Sequence, residues 1–206
     1  MHPNPIYRPD DQARNLALAR ERAFGTLAVS ADGPPLLSHV PFLLSDDGTT
    51  ADLHLVRSNP IARALSEPRP ARLAVTGPDG YISPDWYGMD HQVPTWNYVA
   101  VHLAGRLERL PQDQMRDMLD RQSDAYETRL LPKPVWRVDK MPADALDKLL
   151  RMILPFRLHI EDVQGTWKFS QNKPEAARTG AADLLERSEF GAGTAALAAL
   201  MRDWQG

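Results

Sequence analysis

Six or seven short strand-like runs, with turn residues at their ends and few helices between them, predict a mainly β protein. Antiparallel pairing into a β-barrel with flanking helices fits this pattern better than a doubly wound parallel sheet. Proline usage agrees: the 18 prolines in 206 residues are spread along the chain, punctuating short strands instead of forming a linker. Composition sets the bounds. At 43% hydrophobic and 25% charged the chain resembles an ordinary globular domain, long enough to bury a core without staples. A formal net charge of −3 gives no sequence-wide attraction to nucleic acid or anionic lipid. Cysteine is absent, which excludes disulfides, thiol nucleophiles and thiolate metal sites. No basic-then-apolar leader opens the sequence, and no apolar run approaches the roughly 18 residues that span a membrane. A cytoplasmic location is expected.

The elements follow in order. Pro9-Asp10-Asp11 opens a helix, Asp10 or Asp11 capping its free amides. Ala13, Leu16, Ala17 and Arg20 give that helix one weakly apolar face up to about Ala23. Residues 24–30 (FGTLAVS) read as a strand and Asp32-Gly33-Pro34 as its turn. Residues 36–44 form a second strand, interrupted by Pro41, which marks an edge, a bulge or an opening. Ser45-Asp46-Asp47-Gly48 makes a hairpin turn into a third strand, 53–56. Asn59 or Ser58 caps a short helix with Pro60 at its first position. Residues 72–76 are a strand, ended by Gly77-Pro78-Asp79-Gly80 as a turn. In the longest strand, 98–107, Val99, Val101 and Leu103 alternate with Tyr98, Ala100 and His102, and Gly105 marks a bulge or a close backbone approach. Residues 111–126 are helical through Met115, Met118, Leu119 and Gln122, and 142–153 through Leu146, Leu149, Leu150 and Ile153. Residues 156–160 are a strand; 162–165 turn and 166–170 return as a terminal hairpin. Beyond Pro174 the chain is helical, its last helix starting at Thr194 and burying Leu197, Leu200, Met201 and Trp204.

Three stretches carry chemistry. Residues 81–98 hold five Tyr or Trp in a protein that is 7% aromatic. Pro84 and Pro94 hold two aromatic loops extended, beside Ser83, Thr95 and Asn97. Such loops suit a planar heteroaromatic ligand, or they cap one end of a barrel. Arg57-Ser58-Asn59-Pro60 offers a guanidinium, a hydroxyl and free amides to an anion, with Arg63 one turn on; an ordinary capped helix would look similar. Lys168 and Ser170, alternating along a strand, could grip a phosphate or a ring carbonyl, or belong to a surface hairpin. His39 and His54 lack the spaced partners of a metal site, so hydrogen-bonding histidines are expected and no metal.

In order, FGTLAVS, SHVPFLL, LHLVRSNP, YISPDWY, VPTWNYVAVHLAGRL and KFSQN resemble the PaiB family, described as FMN-binding negative transcriptional regulators. The resemblance runs from about Ile6 to Asn172. It departs at LHLVRSNP, which keeps His54, Arg57, Asn59 and Pro60 but not the family's glycine-histidine start, and at 89–92, which looks short. The resemblance implies a split β-barrel related to pyridoxamine 5′-phosphate oxidase and flavin reductases, a homodimer with FMN at the interface. It implies a barrel domain over 1–172 and a helical extension over 173–206 packed on it. Arg57, Ser58 and Asn59 would then bind the FMN phosphate, with His54 close by. Ser38, His39 and Val40 would border the flavin ring. Thr95, Trp96 and Asn97 would line the pocket, with Lys168, Ser170 and Gln171 arriving from the other subunit. The implied function is a redox-linked sensor or repressor. The alternative is an FMN-dependent oxidoreductase using NAD(P)H, with His39 or Tyr87 in proton transfer, and a weaker one a haem-handling barrel. Direct DNA binding is not expected, because the sequence has neither a helix-turn-helix pattern nor a basic stripe.

Overall fold

The computed structural model describes residues 1–9 and 11–204; Asp10, one of the two cap candidates, lies outside the described residues. The other candidate, Asp11, accepts from the Arg14 amide at 2.8 Å. The elements are α1 (Gln12–Arg22), β1 (Phe24–Val29), β2 (Leu36–Pro41), β3 (Leu43–Leu44), β4 (Thr50–Val56), α2 (Pro60–Ala64), β5 (Arg69–Ile82), β6 (Thr95–Arg109), α3 (Met115–Glu127), α4 (Ala143–Met152), β7 (Ile153–Lys168), α5 (Glu175–Ser188) and α6 (Thr194–Arg202). The strands form one seven-stranded antiparallel sheet in the order β2-β1-β5-β6-β7-β4-β3. Among the described residues no helix is long and apolar enough to cross a membrane.

The chain divides into two compact units. The first gathers Ala19–Ala74 and Leu103–Val163. Its core takes alternate residues from each strand: Leu27 and Val29, Leu53 and Leu55, Leu103 and Leu107, Leu154, Phe156 and Leu158, all buried. Each such side chain contributes about 1.5–3 kcal/mol through removal from water. Met115 and Met118 of α3 are buried with Leu110, as the helical spacing predicts. On α4 only Leu146 is buried; Leu149, placed by sequence on the apolar face, is 49% exposed.

The second unit gathers Met1–Leu18, Val75–His102 and Gln164–Gly206. Here Ala177, Ala181, Ala182 and Leu185 of α5 and Leu197, Ala198 and Met201 of α6 share a core with Ile82, Tyr87, Val99, Trp167 and Phe169. Leu200 and Trp204 pack partly buried against it.

Four local expectations change. The break in the second strand falls at Phe42, whose amide turns to Ala23 O at 3.0 Å, while Pro41 stays paired with Phe24. On the edge strand β2 a proline's missing N–H leaves no ladder bond unmade. Gly77-Pro78-Asp79-Gly80 is not a turn, because β5 runs through it. The buried set shifts there from Ala71, Leu73 and Val75 to Gly80 and Ile82. The amides of Asp79 and Tyr81 find Ala192 O and Phe190 O at 2.9 and 3.0 Å. Likewise the expected terminal hairpin is a single strand, β7, buried at Leu154, Pro155, Phe156 and Leu158 near one end and at Gly165, Thr166 and Trp167 near the other. Finally, Pro84–Tyr87 is a 3-10 turn and not extended, although Ser83 before it is (φ −70°, ψ 139°).

Candidate functional site

In the first unit, Asn59 joins two predicted groups. Extended at φ −61° and ψ 134°, as a residue before proline prefers, it caps α2: its Oδ1 accepts from the Ile61 amide at 2.9 Å. Its Nδ2 donates to Ser38 Oγ at 3.1 Å, linking the cap to β2. Val40, on the same side of β2 as Ser38, is buried in the core. His39 points the other way, exposed, its Nδ1 hydrogen-bonded at 3.0 Å to Oγ1 of Thr26, its cross-strand partner. Ser38, His39 and Val40 therefore do not present one common face.

Arg57 is held at the end of α4. Its amide donates to Met152 O at 2.9 Å, its Nε to Arg151 O, and its Nη2 to Gln112 Oε1 at 3.0 Å. It forms no ion pair among the described residues. Ser58, next along, is exposed, and neither its amide nor its hydroxyl has a partner among the described residues.

His54 is half-buried, its Nδ1 at 3.2 Å from Gln122 Oε1; burial pushes its pKa down and keeps the ring neutral. Gln122 also donates to Asp52 O at 3.0 Å. Asp52 is buried and takes a forked pair of bonds from Arg157 (2.7 and 2.9 Å) and a third from Arg121 (2.8 Å). Burial pushes this carboxyl up, but the two guanidiniums outweigh it and hold the pKa below the usual carboxylate range. Sequence reading missed this brace, together with Gln112.

In the second unit, Thr95 and Asn97 begin β6 and do not lie in a loop. Lys168 Nζ donates to Thr95 Oγ1 and to Trp96 O, with no carboxylate partner among the described residues; burial pushes its pKa down. Two residues further on in β6 and just past the end of β7, Asn97 Nδ2 donates to Ser170 Oγ at 2.8 Å and the Tyr87 hydroxyl shares a bond with the same oxygen at 2.7 Å. Asn97 is fully buried, and its Oδ1 has no partner among the described residues. Gln171 has a bracing role: its Oε1 accepts from the Phe169 amide and its Nε2 donates to Ile6 O and Trp167 O. Trp96 is 42% exposed and packs edge-on to Tyr81 and Phe190, at 6.2 and 5.3 Å between centroids. Among the described residues no group of three His, Asp or Glu could hold a metal ion.

A family model described as "Putative FMN-binding domain" matches residues 1–162. The chain belongs to this FMN-binding family. Protease synthase and sporulation protein PAI 2 of Bacillus subtilis is 31% identical over 172 residues, 82% of each chain. An uncharacterized protein of Aspergillus fumigatus is 28% identical over 230 residues, 85% of this chain and 88% of its own. Among solved structures, an FAD and heme binding protein from Mycobacterium smegmatis superposes with a TM-score of 0.59 at 22% identity, covering 79% of this chain and 73% of that one. The flavocytochrome Anf3 from Azotobacter vinelandii gives 0.57 at 15% identity, covering 82% and 72%. Those likenesses show the fold, a split barrel with flanking helices, as expected. The cofactor of the FMN-binding family is FMN. Its phosphate dianion needs N–H and O–H donors and no competing carboxylate. The turn at Arg57 and Ser58 meets that chemistry: one guanidinium edge, one amide and one hydroxyl.

Proposed function

We propose that the chain is a redox-linked regulator that anchors FMN by its phosphate at Arg57-Ser58-Asn59 and works as a homodimer. The donor set at that turn carries the reading, because among the described residues it combines a cation without an ion pair and an exposed Ser58 without partners. Bound FMN supplies reversible electron uptake; the chain's residues bind, orient and exclude water. Regulation is supported by the relative PAI 2, whose name ties it to protease synthesis and sporulation. A net charge of −3 favours action through redox state or a protein partner over operator contact. The dimer is supported by apolar residues on the outer face of β1 and the edge strand β2, where Phe24 is 51% and Leu37 62% exposed.

The test is an FMN titration followed by visible absorption, wild type against Arg57→Ala. Wild type saturates, and the variant's Kd rises by roughly ten- to a hundredfold, about 1.4–3 kcal/mol. An unchanged Kd contradicts the anchor. His39, exposed and oriented by Thr26, favours a second reading, an FMN-dependent oxidoreductase. Sustained NAD(P)H oxidation dependent on His39 supports that reading; reduction of bound flavin without turnover supports the regulator.

A further inference from the structure

Gln112 lies outside every predicted group, yet it contacts the proposed phosphate anchor and fixes its direction. Its Nε2 donates to Leu150 O at 3.0 Å and to Ile153 O at 3.2 Å, and its Oε1 accepts from Arg57 Nη2 at 3.0 Å. With both amide hydrogens and the oxygen engaged, the side chain has one orientation. The carbonyls around it come from the last turn of α4, which lacks intrahelical donors, and from the first residue of β7. Arg57 Nε adds a bond to Arg151 O in the same stretch. An exposed arginine is otherwise rich in rotamers. Here two of its five N–H groups are spent on the Nε–Nη2 side, leaving Nη1 and the second Nη2 hydrogen for a ligand. That pair is the fork that takes two phosphate oxygens.

We infer that Gln112 is a positioning residue for the FMN phosphate, holding the Arg57 guanidinium with its outer edge free. The inference rests on the reading that the phosphate sits at Arg57. Gln112 acts through Arg57 and touches no ligand atom. A purely structural role, tying the end of α4 to β7, makes a different prediction, because it would affect every ligand of the protein alike.

Riboflavin, which is FMN without the phosphate, separates the two roles. Dissociation constants for FMN and riboflavin are measured by flavin fluorescence on wild type, Arg57→Ala and Gln112→Met, with thermal melts to confirm folding. Gln112→Met raises the FMN constant about tenfold, in the range found where an outer residue orients a ligating side chain, and moves riboflavin less than twofold. Gln112→Ala, which also frees the Arg57 guanidinium, gives the same selective loss and serves if Gln112→Met does not fold. Equal weakening of both flavins by Gln112→Met, or no weakening of either, overturns the positioning role. If Arg57→Ala discriminates between the flavins and Gln112→Met does not, the anchor stands and Gln112 is only structural. If Arg57→Ala itself fails to discriminate, the phosphate reading falls, and the inference with it.

Discussion

Ser170 shows how much one side chain can carry. It is buried at a φ of 60°, a region a serine occupies at a cost, and its oxygen serves both Tyr87 and Asn97. Ser170→Ala keeps the strained backbone and leaves both partners unmet, so it costs about 2–4 kcal/mol. Ser170→Gly loses the same bonds but relieves the strain, so it is less destabilised by about 1 kcal/mol. Urea unfolding checks the order; an alanine variant as stable as the glycine one contradicts it. Acid stability follows from two other groups. His54 has a folded pKa below its unfolded value, so its contribution is present above about 6.5 and fades as pH falls past that point. Asp52 is also depressed, so its share is complete above about 4 and is lost as pH falls through the lower folded value. Asp52→Asn costs roughly 2–4 kcal/mol at neutral pH, less than in a fully buried triad since both arginines reach solvent. It also flattens unfolding midpoints below pH 4, while His54→Gln flattens only the loss that sets in as pH falls below about 6.5. The Asn59 cap was legible because a cap and a following proline are neighbours in sequence. The brace on Asp52 was not: its partners lie 69 and 105 residues away, and no local pattern records them.

At the scale of elements, glycines show where backbone meets backbone. A Cβ on Gly105 of β6 would lie 1.8 Å from His159 O, a backbone atom with nowhere to move. One on Gly165 of β7 would lie 2.0 Å from Asn15 Oδ1, the atom that accepts from Trp167 Nε1 at 2.7 Å. A Cβ on Gly33, in a turn, would meet nothing within 4 Å among the described residues. Gly105→Ala and Gly165→Ala therefore lower stability by about 2 kcal/mol or more, while Gly33→Ala stays near neutral. Thermal unfolding of the three variants reads this directly; equal melting temperatures contradict it. Glycines also explain the misread turns. Gly77-Pro78-Asp79-Gly80 and the stretch ending at Gly165 have turn composition, but a continuous strand also needs glycine where a neighbour packs close: a Cβ on Gly80 would lie 2.6 Å from Leu185 Cδ1. Composition cannot separate the two; the neighbour across the sheet does. At Gly105 the alternation of Val99, Val101 and Leu103 fixed a strand and left a bulge or a close backbone approach open; the approach to His159 O is what the structure has.

For the whole molecule, the barrel class and flanking helices were legible from the count of short strands, and the order of unusual strings such as PTWNY placed the chain in its family. The sheet order was not legible, since β1 pairs with β5 and β4 with β7 across long intervals. The proposed homodimer is a property of this scale. Sedimentation equilibrium is expected to give twice the mass of one chain, and Leu37→Glu, a charge on an exposed apolar edge, to shift it towards one. A wild-type monomer at micromolar concentration contradicts the dimer. A crystal structure of the FMN complex tests the phosphate anchor most directly. The phosphate is expected within hydrogen-bond distance of the Ser58 amide and the outer edge of Arg57, with Gln112 still bonded to Nη2. A phosphate seated instead on Lys168, with Ser58 and Arg57 untouched, would contradict it.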